Sequence, residues 1–388
     1  MTVTLNPPTT RSSELLDQLD IVIRDVVAPA AAAVDAEHLF PSKSIAALAQ
    51  AGLGVLLMPE ELGGQAAPTW VYAETVARLS AACGATSTVY MTQLHCAHPI
   101  HLRGTDVQQR RWIPALCKSE AIGAIALTEP GSGSDVASMR TVARRHADSY
   151  SVRGGKTFIS SGDRADVIVL FASVDTSRGK DGITAFLLDT ASLEGFSAGP
   201  PMHKLGQCGA STVELSFDDC ALPLDAVLGR EGEGYELLLD SVTKSRISAA
   251  AQGVGFAEGA YDATVRWSHE RGLLSSRARD AQDLQFALAG LRSDIYAARA
   301  MLYQVCDAVD NGASEASAAV SMAKLHCTAL GVRVPVACLA LLGEDGDLVD
   351  VGVERRLRDA KIAEIYDGTS QVQSMLIARD TRTRAALA

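Results

Sequence analysis

The chain has 388 residues, 47% of them hydrophobic and 21% charged, which is the composition of an ordinary globular protein. This length exceeds what one hydrophobic core usually serves, so we expect two or three packed regions. The formal net charge of −11 and the pI near 5.2 argue against binding to nucleic acid or to an anionic membrane surface.

Two further features bear on the compartment. No uninterrupted apolar run approaches the roughly 20 residues that a membrane helix needs, and the first residues lack the basic and apolar regions of a signal peptide. The 8 cysteines are scattered without CxxC spacing, which is typical of reduced, mostly buried thiols. We therefore expect a cytoplasmic protein that does not enter a membrane.

Residues 1–122 are predicted to form an N-terminal α-helical domain. Apolar residues recur at three- and four-residue spacing in SELLDQLDIVIRDVVAPA and in SIAALAQAGLGVLL. A third helix is predicted in WVYAETVARLSAACG, ending at its glycine, and a fourth in VQQRRWIPALCKSE.

Three histidines in QLHCAHPIH, His95, His98 and His101, invite a metal-binding interpretation. Their spacing drifts around a helix, and no nearby acidic residue completes a ligand set. We therefore expect structural histidines near a cavity wall and no metal site.

Residues 123–233 are predicted to form a middle β domain, shaped as a sandwich or a barrel. Its candidate strands are the β-branched and aromatic runs SYSVRGGKTFIS, DVIVLFASV, GITAFLLD and STVELSFDDCALP. Because no helices separate these runs, we expect mostly antiparallel pairing. Gly154 and Gly155 are predicted to form a hairpin turn.

Residues 234–388 are predicted to form a C-terminal four-helix bundle, which makes the whole chain α+β and mainly α. Long amphipathic stretches begin at YELLLDSVTKSRISAAAQ and continue to the C-terminus. Their alanine-rich faces favour packing against a second copy, so we expect a homodimer or a homotetramer.

A glycine-serine segment opens the β region in AIALTEPGSGSDVASMR, residues 124–140. Gly131 to Ser134 can present several backbone N–H groups to a phosphate. The segment does not match GxGxxG, and no strand–loop–helix unit surrounds it. On this evidence alone, a plain loop between helix and sheet is an equally good interpretation.

The segment EIYDGTSQVQ places an acid and two hydroxyl residues before a helical pattern. Asp367 is either a base or the residue that starts the helix, because an acid or a hydroxyl there satisfies free N–H groups. If Thr369 or Ser370 caps the helix, the Asp367 carboxylate is free, and the positive helix end favours its ionised form.

Several motifs taken together resemble the acyl-CoA dehydrogenase family. They are LTEPGSGSD, GGKTFISSGDRAD, KLGQCGASTVELSFDDC, HERG and IYDGTSQVQ, in the family's order and spacing. The resemblance spans the chain and implies the helix–sheet–helix fold, FAD as cofactor, and α,β-dehydrogenation of an acyl thioester to the 2-enoyl thioester. The acyl group would be carried by CoA or by a carrier protein, and electrons would pass to an electron-transfer flavoprotein, or to oxygen if the flavin site is open.

The resemblance also implies roles for single residues. Asp367 would be the base, and the substrate would contact Ser134, Arg246, Tyr366 and Gly368. The residues implied to contact FAD are Leu127, Thr128, Ser134, Phe158, Ser160, Arg271, Gln282, Thr369 and Gln371. Arg271 would reach the FAD of a neighbouring subunit.

The chain departs from the family pattern at several of these motifs. The base position holds aspartate where glutamate is usual, and Ser245 stands where another branch of the family keeps its base. Glu344 and Ala340 replace a glycine and a glutamine in an FAD-binding segment. Two alternatives therefore stay open: a flavin-dependent monooxygenase on the same fold, and a non-catalytic paralogue that serves as a partner subunit.

Overall fold

The computed structural model of the protein describes residues 9–275, 281–313 and 315–387. In the N-terminal part, a π-helical turn, Ile23–Val27, joins the first two of six helices. These are α1 (Thr10–Val22), α2 (Ala28–Ala36), α3 (Ser42–Gln50), α4 (Thr69–Ala82), α5 (Gly84–Arg103) and α6 (Asp106–Cys117).

The strands and the remaining helices follow in that order. The strands are β1 (Gly123–Ala126), β2 (Val142–Arg145), β3 (Ser149–Ser160), β4 (Val167–Ser173), β5 (Ile183–Asp189), β6 (Phe196–Ala198) and β7 (Thr212–Pro223). The C-terminal helices are α7 (Gly234–Glu270), α8 (Ala281–Asp310), α9 (Ala316–Leu342), α10 (Val353–Ala360) and α11 (Ser370–Leu387). The α+β, helix–sheet–helix fold is confirmed, and the division at residues 122 and 233 stays a prediction.

The strands form one sheet in the order β1-β4-β2-β3-β7-β6, with β5 added beside β4. Most pairs are antiparallel, as predicted, but β1 pairs with β4 in parallel and β2 meets β4 in parallel at its first residue. The strand β4 is buried along its whole length. Its alternate residues therefore belong to two cores, one shared with the helices and one on the other face of the sheet.

The predicted hairpin at Gly154 and Gly155 is wrong, because both residues lie inside β3. Gly154 has φ +147°, and a Cβ there would stand 2.7 Å from the Cα of Thr141. The register of β3 against β7 shifts next to it. Gly154 therefore permits a close backbone approach and a β-bulge, and it does not form a turn.

Two helix predictions in the N-terminal part also need correction. The helix in SIAALAQAGLGVLL ends at Gln50 and is followed by Gly52 with φ +73°. Gly84 does not stop α4; it begins α5, while extended Cys83 separates the two helices. A Cβ on Gly84 would lie 2.6 Å from the Asp359 carboxylate of α10, so this glycine permits close packing.

The helical parts are joined by buried polar contacts as well as apolar ones. Arg299 of α8 pairs with Glu74 of α4 and with Glu258 of α7. In the bundle, α7 and α9 approach closely at small residues, since a Cβ on Gly331 would lie 2.8 Å from the Cα of Gly253. These contacts fix α4, α7, α8 and α9 against one another.

One described helix is long and apolar enough, by length and composition alone, to cross a membrane. It is α9 with the turn after it, Ala316–Asp347, whose most apolar window has a mean hydropathy of 1.8. Polar residues such as Lys324 and Arg333 interrupt it, so it contains no long unbroken apolar run. Helices at the core of a bundle pass the same test, and α9 packs on α7, α8, α10 and α11. The feature is weak evidence for a membrane.

Candidate active site

Asp367 lies in the short connection that precedes α11, in a backbone conformation that few non-glycine residues adopt. Its φ is +54°, and Gly368 follows with φ +92°. Helix α11 is capped by Thr369, because the Thr369 hydroxyl accepts a hydrogen bond of 3.2 Å from Val372 N. The amide of Gln373 donates to the Gly368 carbonyl at 2.9 Å. The Asp367 side chain is therefore not used as the helix cap.

The Asp367 carboxylate is one of three ionisable groups buried close together. Its Oδ2, the Nζ of Lys324 and the Nε of Arg246 are each buried without a hydrogen-bond partner among the described residues. Burial raises the pKa of Asp367 to about 7, while Lys324 and Arg246 act in the opposite direction. Burial lowers the pKa of Lys324 to about 8, and Asp367 acts against this shift.

The direction of the Asp367 shift corrects one expectation. The helix end was expected to favour the ionised carboxylate, but desolvation outweighs all favourable charges, and the pKa lies well above its usual value of 3.8. A carboxyl group with a pKa near neutrality accepts and releases protons readily in the physiological range. The unbonded, buried Oδ2 is thus suited to proton transfer.

Polar groups of three helices meet at Ser248, and one of them, Tyr72, interacts with the charge of Asp367. The Tyr72 hydroxyl of α4 lies 2.8 Å from Ser248 Oγ of α7, and His95 Nε2 of α5 lies 3.2 Å from the same oxygen. Burial raises the pKa of Tyr72, and the charge of Asp367 adds to this shift. The Tyr366 hydroxyl contacts Met91 Sδ of α5 at 3.9 Å.

A buried network ties the middle domain to this region. Gln207, in the loop before β7, accepts from Thr88 Oγ1 of α5 at 2.6 Å and donates to the Asp359 carbonyl of α10 at 3.0 Å. Gln252 of α7 donates to the same threonine at 3.0 Å. The loop before β7, α5, α7 and α10 are therefore held together beside the segment that carries Tyr366 and Asp367.

A second cluster is built on a buried ion pair that the sequence analysis missed. Lys156 Nζ of β3 donates to Glu129 Oε1 at 2.8 Å and to the Leu127 carbonyl at 2.9 Å. Glu129 also accepts from the backbone N–H groups of Arg140 and Thr141. Although burial opposes it, these partners hold the pKa of Glu129 below its usual value. The pair fixes both ends of the glycine-serine segment.

The signal for this pair was present in the sequence. Glu129 stands in TEPG and Lys156 in GGKT, two of the motifs that carry the resemblance. Both side chains are buried in the structure. A buried charge requires a partner, so a single lysine on an inward-facing strand position predicts a buried acid nearby.

Phe158 is exposed and conformationally strained beside this pair. Its side chain is 65% exposed and its φ is +59°. The register of β3 against β7 shifts between Lys156 and Ile159, and Thr157 N donates to the Thr128 carbonyl at 2.8 Å. Leu127, Thr128 and Phe158 are thus neighbours, and Ser160 ends the same strand half-buried. Backbone strain of this kind is common at binding and active sites, and the exposed ring offers an apolar face.

The glycine-serine segment next to these residues has free space. A Cβ on Gly131 would meet nothing within 4 Å, and Ser134 is exposed. Three of the predicted cofactor residues, Leu127, Thr128 and Phe158, therefore lie together, and Ser160 follows two residues after Phe158 on the same strand. Their chemistry, an aromatic ring with neighbouring hydroxyl and backbone groups, fits a flavin ring system.

The remaining predicted cofactor residues lie elsewhere. Arg271 follows α7, where its guanidinium stacks on Trp267 at 4.1 Å and approaches the Asp345 carboxylate at 3.9 Å. Gln282 on α8 and Gln371 on α11 are exposed. Arg246 and Glu270 are separated by about 36 Å along the axis of α7. Arg271 therefore does not join the Asp367 cluster within one chain.

Glu344 does not obstruct the region around Arg271. Its side chain is exposed, while its neighbour Asp345 is the residue that approaches Arg271. The outward orientation removes the charge conflict that a carboxylate would create beside a bound phosphate.

The three histidines of α5 are not part of a metal centre in the described ranges, where no group of three or more His, Cys, Asp or Glu residues could hold an ion. His95 and His98 are half-buried. Burial lowers the pKa of His95 to about 3 and that of His98 to about 4, so both are neutral at pH 7.

Comparison with known proteins gives matches along the whole chain. The family models for the N-terminal, middle and C-terminal domains of acyl-CoA dehydrogenase match residues 9–120, 124–220 and 232–381. A short-chain specific acyl-CoA dehydrogenase of Clostridium acetobutylicum is 35% identical over 95% of this chain and 97% of its own.

Two solved structures superpose closely. Butyryl-CoA dehydrogenase of Megasphaera elsdenii has a TM-score of 0.90 and 29% identity, covering 96% of this chain and 98% of its own. The prolyl acyl carrier protein oxidase AnaB has a TM-score of 0.87 and 26% identity, covering 95% of this chain and 99% of its own.

Proposed function

The chain belongs to the acyl-CoA dehydrogenase family, FAD-binding oxidoreductases of acyl thioesters, and we propose that Asp367 is the base of this member. Membership confirms the resemblance in the motifs, and with it FAD as cofactor and α,β-dehydrogenation of an acyl thioester as the reaction. One observation carries the assignment of the base. Asp367 has a buried, unbonded Oδ2 and a pKa near 7, while Thr369 caps the adjacent helix.

The residues that would hold the flavin ring are Leu127, Thr128, Phe158 and Ser160. When bound, FAD accepts the β-hydrogen of the acyl group with its electron pair. We assign Ser134 to the phosphates or to the thioester arm, and Arg271, Gln282, Thr369 and Gln371 to other parts of the cofactor. The exposed, strained Phe158 supports the first of these assignments.

Asp367 takes the α-proton on its free carboxylate oxygen, so that the acyl group leaves as the 2-enoyl thioester. The α-proton of a thioester is weakly acidic, and the enolate-like charge must be stabilised as it forms. We assign this task to the backbone N–H of Asp367, with Tyr366 and Gly368 beside the substrate. Arg246 and Lys324 stabilise the ionised carboxylate against its desolvation.

We also propose that the functional unit is a homodimer or a homotetramer. A shallow apolar groove lies between α8 and α9, with Phe286 66% exposed at its edge. Only 44% of the apolar window of α9 is buried in one chain. A second copy would cover this surface, and the distance of Arg271 from Arg246 is consistent with a role in a neighbouring subunit's site.

The electron acceptor and the compartment are part of the same proposal. An electron-transfer flavoprotein would reoxidise the cofactor. All 8 cysteines are free, and seven of them are buried, which is consistent with the reduced thiols of a cytoplasmic protein. Reduction of the flavin by acyl-CoA or by a carrier-bound thioester would show which of the two bears the acyl group.

The test of this function is anaerobic reduction of the bound flavin. We expect the purified protein to be yellow, with flavin near one per chain, and to bleach with saturated acyl-CoA or carrier-bound thioesters. The product should be the 2-enoyl thioester by mass spectrometry. A colourless protein would support the non-catalytic paralogue. Hydroxylated product that appears only with oxygen and reduced flavin would support the monooxygenase.

A further inference from the structure

The loop before β7 packs directly on the end of α10. A Cβ on Gly206 of this loop would collide with the backbone of Arg358, so only a glycine permits this contact between the two chains of backbone. Residues 361–369, which we call the base segment, continue from α10 to α11, and Asp367 is among them. The loop therefore lies against the start of the segment that carries the proposed base.

Gln207 follows in this loop and is bonded through both its backbone and its side chain. Its N–H donates to the Asp359 carboxylate, and its carbonyl accepts from Ala210 N at 3.0 Å. Its side chain accepts from Thr88 Oγ1 at 2.6 Å and donates to the Asp359 carbonyl at 3.0 Å. Because the residue is only 4% exposed, these bonds lie in a buried region, where they are strongest. They join the loop to α5 and to α10.

The backbone of Gln207 has a conformation that glycine adopts at lower cost. Its φ is +50°, and the glycines of the same loop, Gly206 and Gly209, stand on either side of this position. Such strain persists only where the surrounding contacts fix the conformation, and it is common at functional sites. The contacts of the Gln207 side chain therefore offset the cost of its backbone.

The Gln207 side chain also reaches the base segment itself. Burial raises the pKa of Tyr366 well above its usual value, and a hydrogen bond with the Gln207 side chain opposes this shift. Tyr366 is adjacent to Asp367 in the chain. Gln207 is thus bonded before the base segment, at Asp359, and within it, at Tyr366.

The same loop is tied to β3, the strand that carries the predicted flavin surface. Ser161 N, directly after β3, donates to the Ser211 carbonyl at 2.8 Å. Ser160 pairs with Thr212 at the start of β7. The loop therefore connects β3 with the base segment, and Gln207 is the residue that makes the contacts on the side of the base.

Resting on the function proposed above, we infer that Gln207 is a positioning residue that fixes the separation between Asp367 and the flavin surface. Dehydrogenation removes a proton and a hydride from neighbouring carbons, so the base and the flavin must stand at matching distances from the acyl group. The thioester carbonyl is assigned to the backbone N–H of Asp367, so the acyl group moves with the base segment. Loss of the Gln207 side chain therefore slows hydride transfer more than proton removal.

The test follows where deuterium enters the substrate when the holoenzyme is incubated in D2O without oxygen or an electron acceptor. The substrate is butanoyl-CoA, hexanoyl-CoA or octanoyl-CoA, whichever bleaches the flavin fastest. Removal of a proton by Asp367 and return of a deuteron labels the α-carbon alone. The full reaction and its reversal also label the β-carbon, because hydrogen held by a reduced flavin exchanges with solvent. The ratio of α to β label in the recovered thioester thus compares the two steps.

Gln207→Gly is the diagnostic variant, because it keeps the backbone conformation and removes the side-chain bonds. We expect the ratio of α to β label to rise about tenfold, since hydride transfer depends steeply on the distance between donor and acceptor. Gln207→Asn tolerates the same φ, keeps a shorter amide and should give a smaller rise.

Gln93→Ala is the matched control. Gln93 is a buried glutamine of α5 that also joins a helix to the sheet, since it accepts from Gly123 N at 3.1 Å. Its other bond runs to Val89 of its own helix at 3.5 Å. This variant should lose stability but keep the wild-type ratio of α to β label.

Amide hydrogen exchange of the holoenzyme, measured by mass spectrometry, follows the base segment directly. Gln207→Gly should speed exchange in residues 361–369 about tenfold, whereas Gln93→Ala should leave that segment at the wild-type rate. A merely structural role for Gln207 would speed exchange in all segments alike and lower both kinds of label together.

The outcomes separate the two proposals. An unchanged ratio of labels in Gln207→Gly, or unchanged exchange in residues 361–369, would overturn the role of Gln207 and leave the dehydrogenase function standing. If Gln207→Gly does not fold, the ratio in Gln207→Asn decides in the same way. If neither these thioesters nor carrier-bound ones are labelled or bleach the wild-type flavin, the proposed function fails, and this inference fails with it.

Discussion

At the scale of single residues, the central feature is the charge state of Asp367. The carboxyl group is desolvated, and two buried cations only partly compensate, which leaves its pKa at about 7. Only the ionised form accepts a proton. The burial that raises the pKa also makes the carboxylate a stronger base than an exposed aspartate, which offsets its shorter side chain.

The first prediction concerns pH. Because the pKa of Asp367 is raised, the active ionised form is lost as pH falls through about 7, and not through the usual carboxyl range. The rate of flavin reduction under single-turnover conditions should therefore fall about tenfold per pH unit below that point. A rate that stays constant down to pH 5 would show that a different group is the base.

A second prediction concerns Lys324, which is 0% exposed and has no hydrogen-bond partner among the described residues. Lys324 lowers the pKa of Asp367, so Lys324→Met should raise it and move the acidic limb of the rate profile upward by about one pH unit. Lys324→Arg, which keeps the charge, should restore most of the profile. If Lys324→Met lowers the rate equally at every pH, the lysine acts only on folding.

Part of this site could be predicted from the sequence. The motif around Asp367 predicts a base there, which stays a prediction, and the helix cap expected at Thr369 or Ser370 is formed by Thr369. The pKa near 7 could not be predicted, because it depends on desolvation by α7 and α9. Lys324 lies more than 40 residues before Asp367 in the chain, and no local pattern links the two.

At the scale of secondary-structure elements, the buried pair of Lys156 and Glu129 holds the predicted flavin surface. It joins β3 to the segment after β1 and orders the backbone at Arg140 and Thr141. A segment without this pair would have no fixed position for Thr128.

We predict that Lys156→Met destabilises the protein by about 3 kcal/mol, because it leaves a buried carboxylate without its cation. Flavin content should fall at the same time. The double variant Lys156→Met/Glu129→Gln, which removes both charges, should recover part of the stability in thermal unfolding. Arg384→Met breaks an exposed pair with Asp380 and serves as the control, with an expected effect below about 1 kcal/mol. Equal losses for the two single variants would contradict this role.

Glycines show why elements were only partly predictable. Helix periodicity and β-branched runs predict the order of elements, but the same local patterns predict a helix stop at Gly84 and a turn at Gly154, and both predictions are wrong. Both are positions where another segment, at Asp359 and at Thr141, approaches too closely for a side chain. Asp359 is remote from Gly84 in the chain, and the approach of Thr141 to Gly154 depends on how β2 pairs with β3, so the local pattern contains no sign of either contact.

At the scale of the whole molecule, the helix–sheet–helix arrangement was predictable from the pattern of apolar residues. They recur at three- and four-residue spacing in the first and last regions, whereas short β-branched and aromatic runs fill the middle region. If Arg271 contacts FAD as proposed, one chain does not provide a complete site. The Asp367 cluster and the Phe158 surface belong to one chain, whereas Arg271 lies beyond the far end of α7. The apolar groove between α8 and α9 gives a reason for a second copy.

We predict that Phe286→Glu disrupts the assembly, because it places a charge in the apolar groove. Light scattering after size-exclusion chromatography should report a smaller species, with reduced flavin content if a partner contributes Arg271. Val107→Glu, at a 77% exposed position on α6, is the matched control and should keep the wild-type mass. An unchanged mass for Phe286→Glu would place the interface elsewhere.

The most direct test of the central claim is stopped-flow flavin reduction by Asp367→Asn under anaerobic conditions. We predict that this variant keeps its FAD and its fold but reduces the flavin at least about a hundredfold more slowly than wild type, because the base is absent. Glu364→Gln, which removes a neighbouring carboxylate paired with Lys361, should stay near the wild-type rate. Reduction of the flavin in Asp367→Asn at a rate within about tenfold of wild type would contradict the assignment of Asp367 as the base.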